Sequence, residues 1–191
     1  FVRVLAALHT VDHEAVGLAN HGRPGNYFAR QIDRWSKQYR SSQTDKIPAM
    51  EKLLEWMPAN VPPSDETTVI HGDYRVGNVL LHPTEPRVAA VLDWEISTLG
   101  HPLGDLSYHA AHAYHGELVE FLDELPARGI PSEAEYVQSY CKYARREAAE
   151  NWNFCLAYNL FRLACIVQGV YKRGLDGIAS SDFVLEEQRK S

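Results

Sequence analysis

Two short runs hold the side chains best suited to chemistry: His71-Gly72-Asp73-Tyr74-Arg75-Val76-Gly77-Asn78 and Val91-Leu92-Asp93-Trp94-Glu95. Asn78 and Asp93 suit a hard divalent cation such as Mg2+, which takes oxygen ligands. Asp73 can accept a proton from a hydroxyl held beside it. A proton acceptor next to a magnesium site is the arrangement phosphoryl transfer requires, with the metal offsetting phosphate charge and the acceptor orienting the attacking hydroxyl. Such catalysis rests on placement and electrostatics more than on covalent chemistry. With each residue at about 5%, His-Gly-Asp, four residues and Asn recur in roughly one chain of this size in a thousand. The competing reading makes Asp73 a loop cap among ordinary turn residues and Asp93 a structural strand-end residue.

Side chains this far apart in sequence need elements that return the chain to one edge. A β-branched run at residues 67–70 ends just before His71. Val79–Leu81 and residues 88–92 are two further runs, separated by the turn-rich His82-Pro83-Thr84-Glu85-Pro86-Arg87, and read as a β-hairpin. That hairpin carries Asp93 back towards Asn78.

The surrounding pattern is helical. Val2, Leu5 and Leu8 suggest a helix over residues 1–10. Phe28, Ile32, Trp35 and Tyr39 form one apolar stripe over residues 27–40. Pro48 suits the first turn of another helix, which Pro58, Pro62 and Pro63 are expected to end. Helices are expected over residues 105–114 and 133–150. Residues 152–173 are apolar nearly all round and suit the centre of a helical bundle. The expected class is α+β, mostly α: a helical bundle with a small β-hairpin carrying the loops of interest.

Composition narrows the function classes. The chain has 191 residues, 45% of them apolar and 23% charged, ordinary for a globular domain. Lys plus Arg number 19 against 25 for Asp plus Glu, giving a net charge of −6 and disfavouring a nucleic-acid partner. Cys141, Cys155 and Cys165 are odd in number without a CxxC pair, and read as reduced core thiols of a cytoplasmic protein. Residues 154–171 form the longest apolar stretch, but Asn159, Arg162 and Gln168 interrupt it, so a buried helix is expected rather than a membrane span. His109, His112 and His115 recur every three residues; the third drifts off a helical face, so a solvated or groove-lining stripe is expected rather than a zinc site.

The two runs resemble the catalytic and metal-binding motifs of the aminoglycoside phosphotransferase and choline kinase family, relatives of protein kinases. His71-Gly72-Asp73 resembles the opening of that family's catalytic loop, Asn78 its metal-binding asparagine, and Leu92-Asp93-Trp94-Glu95 its second metal motif. His101-Pro102-Leu103-Gly104-Asp105-Leu106 resembles the next segment, whose Asp anchors the helical lobe behind the catalytic loop. Arg23-Pro24-Gly25-Asn26-Tyr27-Phe28, the Trp35 helix and Leu163-Ala164-Cys165-Ile166-Val167-Gln168-Gly169-Val170-Tyr171 are similar to the kinase-like domain fused to acyl-CoA dehydrogenases in some eukaryotes, and to its bacterial relatives.

The resemblance implies a protein-kinase-like carboxy-terminal lobe spanning residues 1–191 and a Mg2+-dependent transfer of phosphate from ATP or GTP to a hydroxyl of a small molecule. Asp73 would be the catalytic base, with Asn78 and Asp93 holding the metal. Leu80 would pack under the nucleotide base, with a plain core leucine as the alternative. Arg75 suits a phosphate or acidic acceptor, or an ordinary surface salt bridge. His71 reads as a loop-orienting hydrogen bonder, Glu95 as support for the metal site, and Asp105 as an anchor or a helix cap. Neither the family's amino-terminal lobe nor its Gly-rich loop and strand lysine occurs in the sequence. The chain is therefore expected to be a remnant of a two-lobed protein, inefficient alone. Two other functions stay open: a metal-dependent hydrolase built on the His and Asp residues, and a non-catalytic kinase-like binding module.

Overall fold

The described chain runs as three α-helices, four short strands and three further α-helices, as the hydrophobic pattern requires. A computed structural model describes residues 1–63, 66–117 and 119–177. The helices are α1 (Val2–His9), α2 (Tyr27–Ser42), α3 (Pro48–Ala59), α4 (Pro102–His112), α5 (Glu133–Ala144) and α6 (Trp152–Leu175). The strands are β1 (Thr68–Ile70), β2 (Val79–Leu81), β3 (Val88–Val91) and β4 (Thr98–Gly100). A 3-10 turn at Val76–Asn78 and a π-helical turn at Ala113–Glu117 complete the parts near the site. The architecture is α+β and mainly helical. The chain divides into two compact units, Phe1–Tyr27 with Pro62–Leu156, and Phe28–Val61 with Ala157–Ser191.

The first unit holds both small sheets. β2 and β3 pair antiparallel with Val79 opposite Val91, the expected hairpin, and a bulge falls between Leu80 and Leu81. β1 pairs antiparallel with β4, Ile70 opposite Thr98. No β-branched run announces Thr98-Leu99-Gly100; β1 recruits it, helped by Ser97 Oγ donating to the Ile70 carbonyl at 2.8 Å. α1 packs on α5, burying Leu5 and Ala6.

Three helix limits differ from expectation. α4 starts earlier, at Pro102, because His101 caps it: Nδ1 accepts from Leu103 N at 3.2 Å. Burial pushes His101 down to about 4, which keeps this nitrogen an acceptor. α4 also ends at His112, where the π-helical turn takes over. α5 stops at Ala144 rather than reaching residue 150, since Arg145 turns left-handed at φ 55°. At its start, Ser132 and Glu135 form a capping box.

In the second unit the α2 stripe is buried as expected, with Phe28, Ile32, Trp35 and Tyr39 all below 10% exposure. Burying each such side chain contributes about 1.5–3 kcal/mol. Phe28 meets the Tyr158 ring edge-on at 5.1 Å, and Gln168 Nε2 donates to the Ser42 carbonyl at 2.8 Å. Pro58 does not end α3; it sits in the last turn, where its missing N–H forgoes one bond to the Leu54 carbonyl and the helix closes one residue later, at Ala59. α6 is long and apolar enough to cross a membrane by length and composition, and 44% of its most apolar window is buried. It is not enclosed all round: Leu160 and Val167 are exposed, while Tyr158, Phe161 and Cys165 are buried.

Candidate active site

β1 delivers His71 to the start of a loop that Asn78 closes. Gly72 makes the first bend at φ 86°, a left-handed conformation that favours glycine. A Cβ there would also meet the Ile96 carbonyl oxygen at 3.0 Å. The 3-10 turn brings Asn78 back, its backbone N–H donating to the Arg75 carbonyl at 2.9 Å. Asn78 Nδ2 then donates to the Asp73 carbonyl at 2.9 Å and to Asp73 Oδ2 at 2.7 Å. The six residues from Asp73 to Asn78 are thereby pinned at both ends.

These bonds orient the Asn78 amide. Its nitrogen is committed to Asp73, so Oδ1 is left without a hydrogen bond among the described residues. Asp73 Oδ1 is likewise enclosed and completes no hydrogen bond among the described residues. Partial burial pushes the Asp73 carboxyl up, but the Tyr108 hydroxyl, the Asn78 amide and the Arg75 guanidinium outweigh it and hold the group below its ordinary value. Arg75 Nε stands 3.3 Å from Asp73 Oδ2 with its side chain half exposed.

Leu92 joins the two runs through its backbone. Its N–H donates to the Asn78 carbonyl at 2.8 Å, and its carbonyl accepts from His71 Nε2 at 2.8 Å. Asp93 follows directly, at φ 64°, a left-handed conformation that Asp tolerates better than most residues. Its side chain is exposed and makes no hydrogen bond or ion pair among the described residues. The fold thus brings the Asp93 backbone to the edge where Asp73 and Asn78 already touch.

His71 is fully buried and bridges the runs: Nδ1 accepts from Asp73 N at 3.2 Å while Nε2 donates to Leu92. The Trp94 ring lies against it, centroids 4.8 Å apart. Asp105 lies in the first turn of α4, one turn past its cap, and does not cap the helix. It is buried and accepts from His71 N at 2.7 Å and Gly72 N at 2.8 Å, which compensates the enclosed charge. Glu95 is exposed and without partners among the described residues. Leu80 is 56% exposed on β2.

The three spaced histidines share no site. His109 is buried between the rings of Phe1 and Tyr136, so the expected solvated or groove-lining stripe fails at its first member. His112 bonds the Tyr108 carbonyl, and His115 pairs with Glu133. No group of three His, Cys, Asp or Glu side chains able to hold a metal occurs among the described residues. Cys141, Cys155 and Cys165 are buried and form no disulfide among the described residues. Sequence reasoning passed over His9, Tyr140 and Tyr108. His9 Nε2 lies 3.3 Å from Asp105 Oδ2, and Nδ1 lies 2.7 Å from the Tyr140 hydroxyl. A histidine ending an otherwise apolar helical face was the one signal available.

The family model described as the phosphotransferase enzyme family matches residues 1–139. This chain belongs to that phosphotransferase family. Among its relatives, acyl-CoA dehydrogenase family member 10 of Mus musculus is 43% identical over 184 residues, covering 94% of this chain and 17% of the relative. Acyl-CoA dehydrogenase family member 11 of Homo sapiens is 41% identical over 186 residues, covering 95% and 24%. The chain therefore spans about a quarter or less of these curated relatives. A crystal structure of a Ralstonia eutropha protein, provisionally assigned as an aminoglycoside phosphotransferase, matches with a TM-score of 0.90 and 51% identity, over 97% of this chain and 58% of that one. A macrolide 2′-phosphotransferase of Brachybacterium faecium, at 20% identity, a TM-score of 0.57 and coverage of 97% and 57%, shares the fold. Phosphotransferase membership accounts for a kinase-like arrangement in which a small β insertion stands among helices.

Proposed function

We propose that this chain is the catalytic lobe of a Mg2+-dependent phosphotransferase that moves the γ-phosphate of ATP or GTP to a hydroxyl of a small molecule. One observation carries the reading: Asn78 Nδ2 is committed to Asp73, which leaves the Asn78 Oδ1 acceptor free on the edge where Asp93 also emerges. Two protein oxygens fit Mg2+, which is usually held by one or two carboxylates together with substrate phosphates. Asn78 Oδ1 and the Asp93 carboxylate would hold the ion, which would supply charge neutralisation to the transferring phosphate.

Asp73 receives the acceptor hydroxyl. Its depressed pKa keeps it charged at neutral pH, so it acts as an orienting acceptor more than as a strong base, in keeping with a loose transition state. Arg75, half exposed beside Asp73, is available to a phosphate or an acidic acceptor group. Leu80, exposed on β2, offers apolar surface to a nucleotide base. His71 and Asp105 hold the loop, and Glu95 remains a candidate support for the metal through water. The test is transfer of labelled γ-phosphate from ATP and from GTP to a panel of hydroxylated small molecules, using the whole protein with every domain it carries. Magnesium-dependent transfer to an alcohol is expected. Release of free phosphate that is unaffected by any acceptor and abolished by a zinc chelator would favour the hydrolase reading instead.

A further inference from the structure

Behind the Asp73 loop runs a buried chain of polar groups from three helices. Tyr140 of α5, His9 of α1 and Asp105 of α4 are each 5% exposed or less. The Tyr140 hydroxyl stands 2.7 Å from His9 Nδ1, and His9 Nε2 stands 3.3 Å from Asp105 Oδ2. Asp105 in turn accepts from His71 N and Gly72 N, the residues that set the entry of the Asp73 loop. A hydroxyl at Nδ1 donates to a ring with no proton there, or accepts from a ring that carries one. No other partner for the Tyr140 hydroxyl occurs among the described residues, so a ring carrying its proton at Nδ1 would strand the hydroxyl's own proton in the core. Only one arrangement uses every proton: Tyr140 O–H donates to His9 Nδ1, and His9 Nε2–H donates to Asp105.

We propose that Tyr140 is a positioning residue for phosphate transfer: its hydroxyl fixes the His9 tautomer that steadies Asp105, and thereby the backbone that presents Asp73. The inference rests on the proposed role of Asp73. Without the hydroxyl, His9 Nδ1 is a buried acceptor without a donor, and the ring is freed to flip or change tautomer. Asp105 then loses its side-chain donor for part of the time. Asp73 moves with the loop, while the remaining surfaces that hold nucleotide and acceptor are untouched.

The test is Tyr140→Phe in the whole protein, read by nitrogen NMR of the His9 ring and by steady-state phosphate transfer. The wild-type ring is expected as the pure Nε2–H tautomer and the variant ring as a mixture. Turnover should fall about three- to tenfold, the range of one hydrogen bond, with both KM values unchanged. A double-mutant cycle separates this role from packing. In His9→Gln the side-chain amide donates to Asp105 with no tautomer to lose, while its oxygen still meets the Tyr140 hydroxyl, so adding Tyr140→Phe should cost less turnover than it does in the wild type. If Tyr140→Phe proves unstable, the same NMR measurement on Tyr140→Met answers the tautomer question. An unchanged His9 tautomer, unchanged turnover, or an equal loss in the His9→Gln background each overturns the proposal. Asp73→Asn run in parallel tests the underlying reading: full activity there removes Asp73 as the acceptor, whatever the His9 spectrum shows.

Discussion

Asn78 Nδ2 donates to Asp73 Oδ2 at 2.7 Å, and the same amide nitrogen reaches the Asp73 carbonyl at 2.9 Å. One side chain therefore orients the proton acceptor and turns its own oxygen outward. Asn78→Asp preserves an oxygen ligand but replaces the donor with a second negative charge, and like charges at this range oppose joint ionisation. Turnover should fall about ten- to a hundredfold while the fold survives. Unaltered turnover in that variant would show that the amide contact is incidental.

Asp93 offers a cleaner test of the metal. Its backbone is left-handed at φ 64°, a conformation asparagine tolerates, so Asp93→Asn removes charge without adding strain. The magnesium concentration giving half-maximal turnover should rise at least about tenfold. A superimposable magnesium titration would take Asp93 out of the site.

Gly72 stands at φ 86° with the Ile96 carbonyl 3.0 Å from where a Cβ would sit. Gly72→Ala adds both a disfavoured backbone conformation and a tight contact, at a cost of about 1–3 kcal/mol. The urea midpoint should drop and turnover should fall with it, because Gly72 N also holds Asp105. A midpoint equal to that of the parent would mean the loop relaxes freely.

Acid should destabilise the first unit before its carboxylates protonate. Burial depresses both His101 and His109 to about 4. Between that value and the ordinary histidine range the unfolded chain binds more protons than the folded one, so stability rises with pH through this window. The loss between pH 7 and pH 5 is about 2 kcal/mol for each ring. Chemical denaturation at the two pH values checks the sum. His109→Phe, which keeps an aromatic ring between Phe1 and Tyr136, should lessen the dependence; an equal slope would assign it elsewhere.

The site was readable where chemistry is local. Asp73 and Asn78 lie on one loop, and the hairpin that returns Asp93 is announced by its apolar runs and its turn. The α2 stripe was visible because helical spacing decides burial along a single element. What escaped depends on contacts between distant segments. β4 exists because β1 pairs with it, and its three residues carry no strand pattern of their own. His9 and Tyr140 gain meaning only because α1, α4 and α5 meet, and 131 positions separate the two. The spacing of His109, His112 and His115 suggested one solvated or groove-lining stripe, yet His109 packs between Phe1 and Tyr136, His112 bonds the Tyr108 carbonyl within α4, and His115 falls on the π-helical turn beside Glu133.

The most direct measurement is steady-state transfer of γ-phosphate to an alcohol acceptor by the whole protein, comparing wild type with Asp73→Asn at saturating magnesium and nucleotide. The substitution keeps size and hydrogen-bonding reach but removes the proton acceptor. Turnover should fall about 10²–10⁴-fold with KM values little changed. Turnover within about twofold of wild type would contradict the assignment of Asp73 and the mechanism built on it.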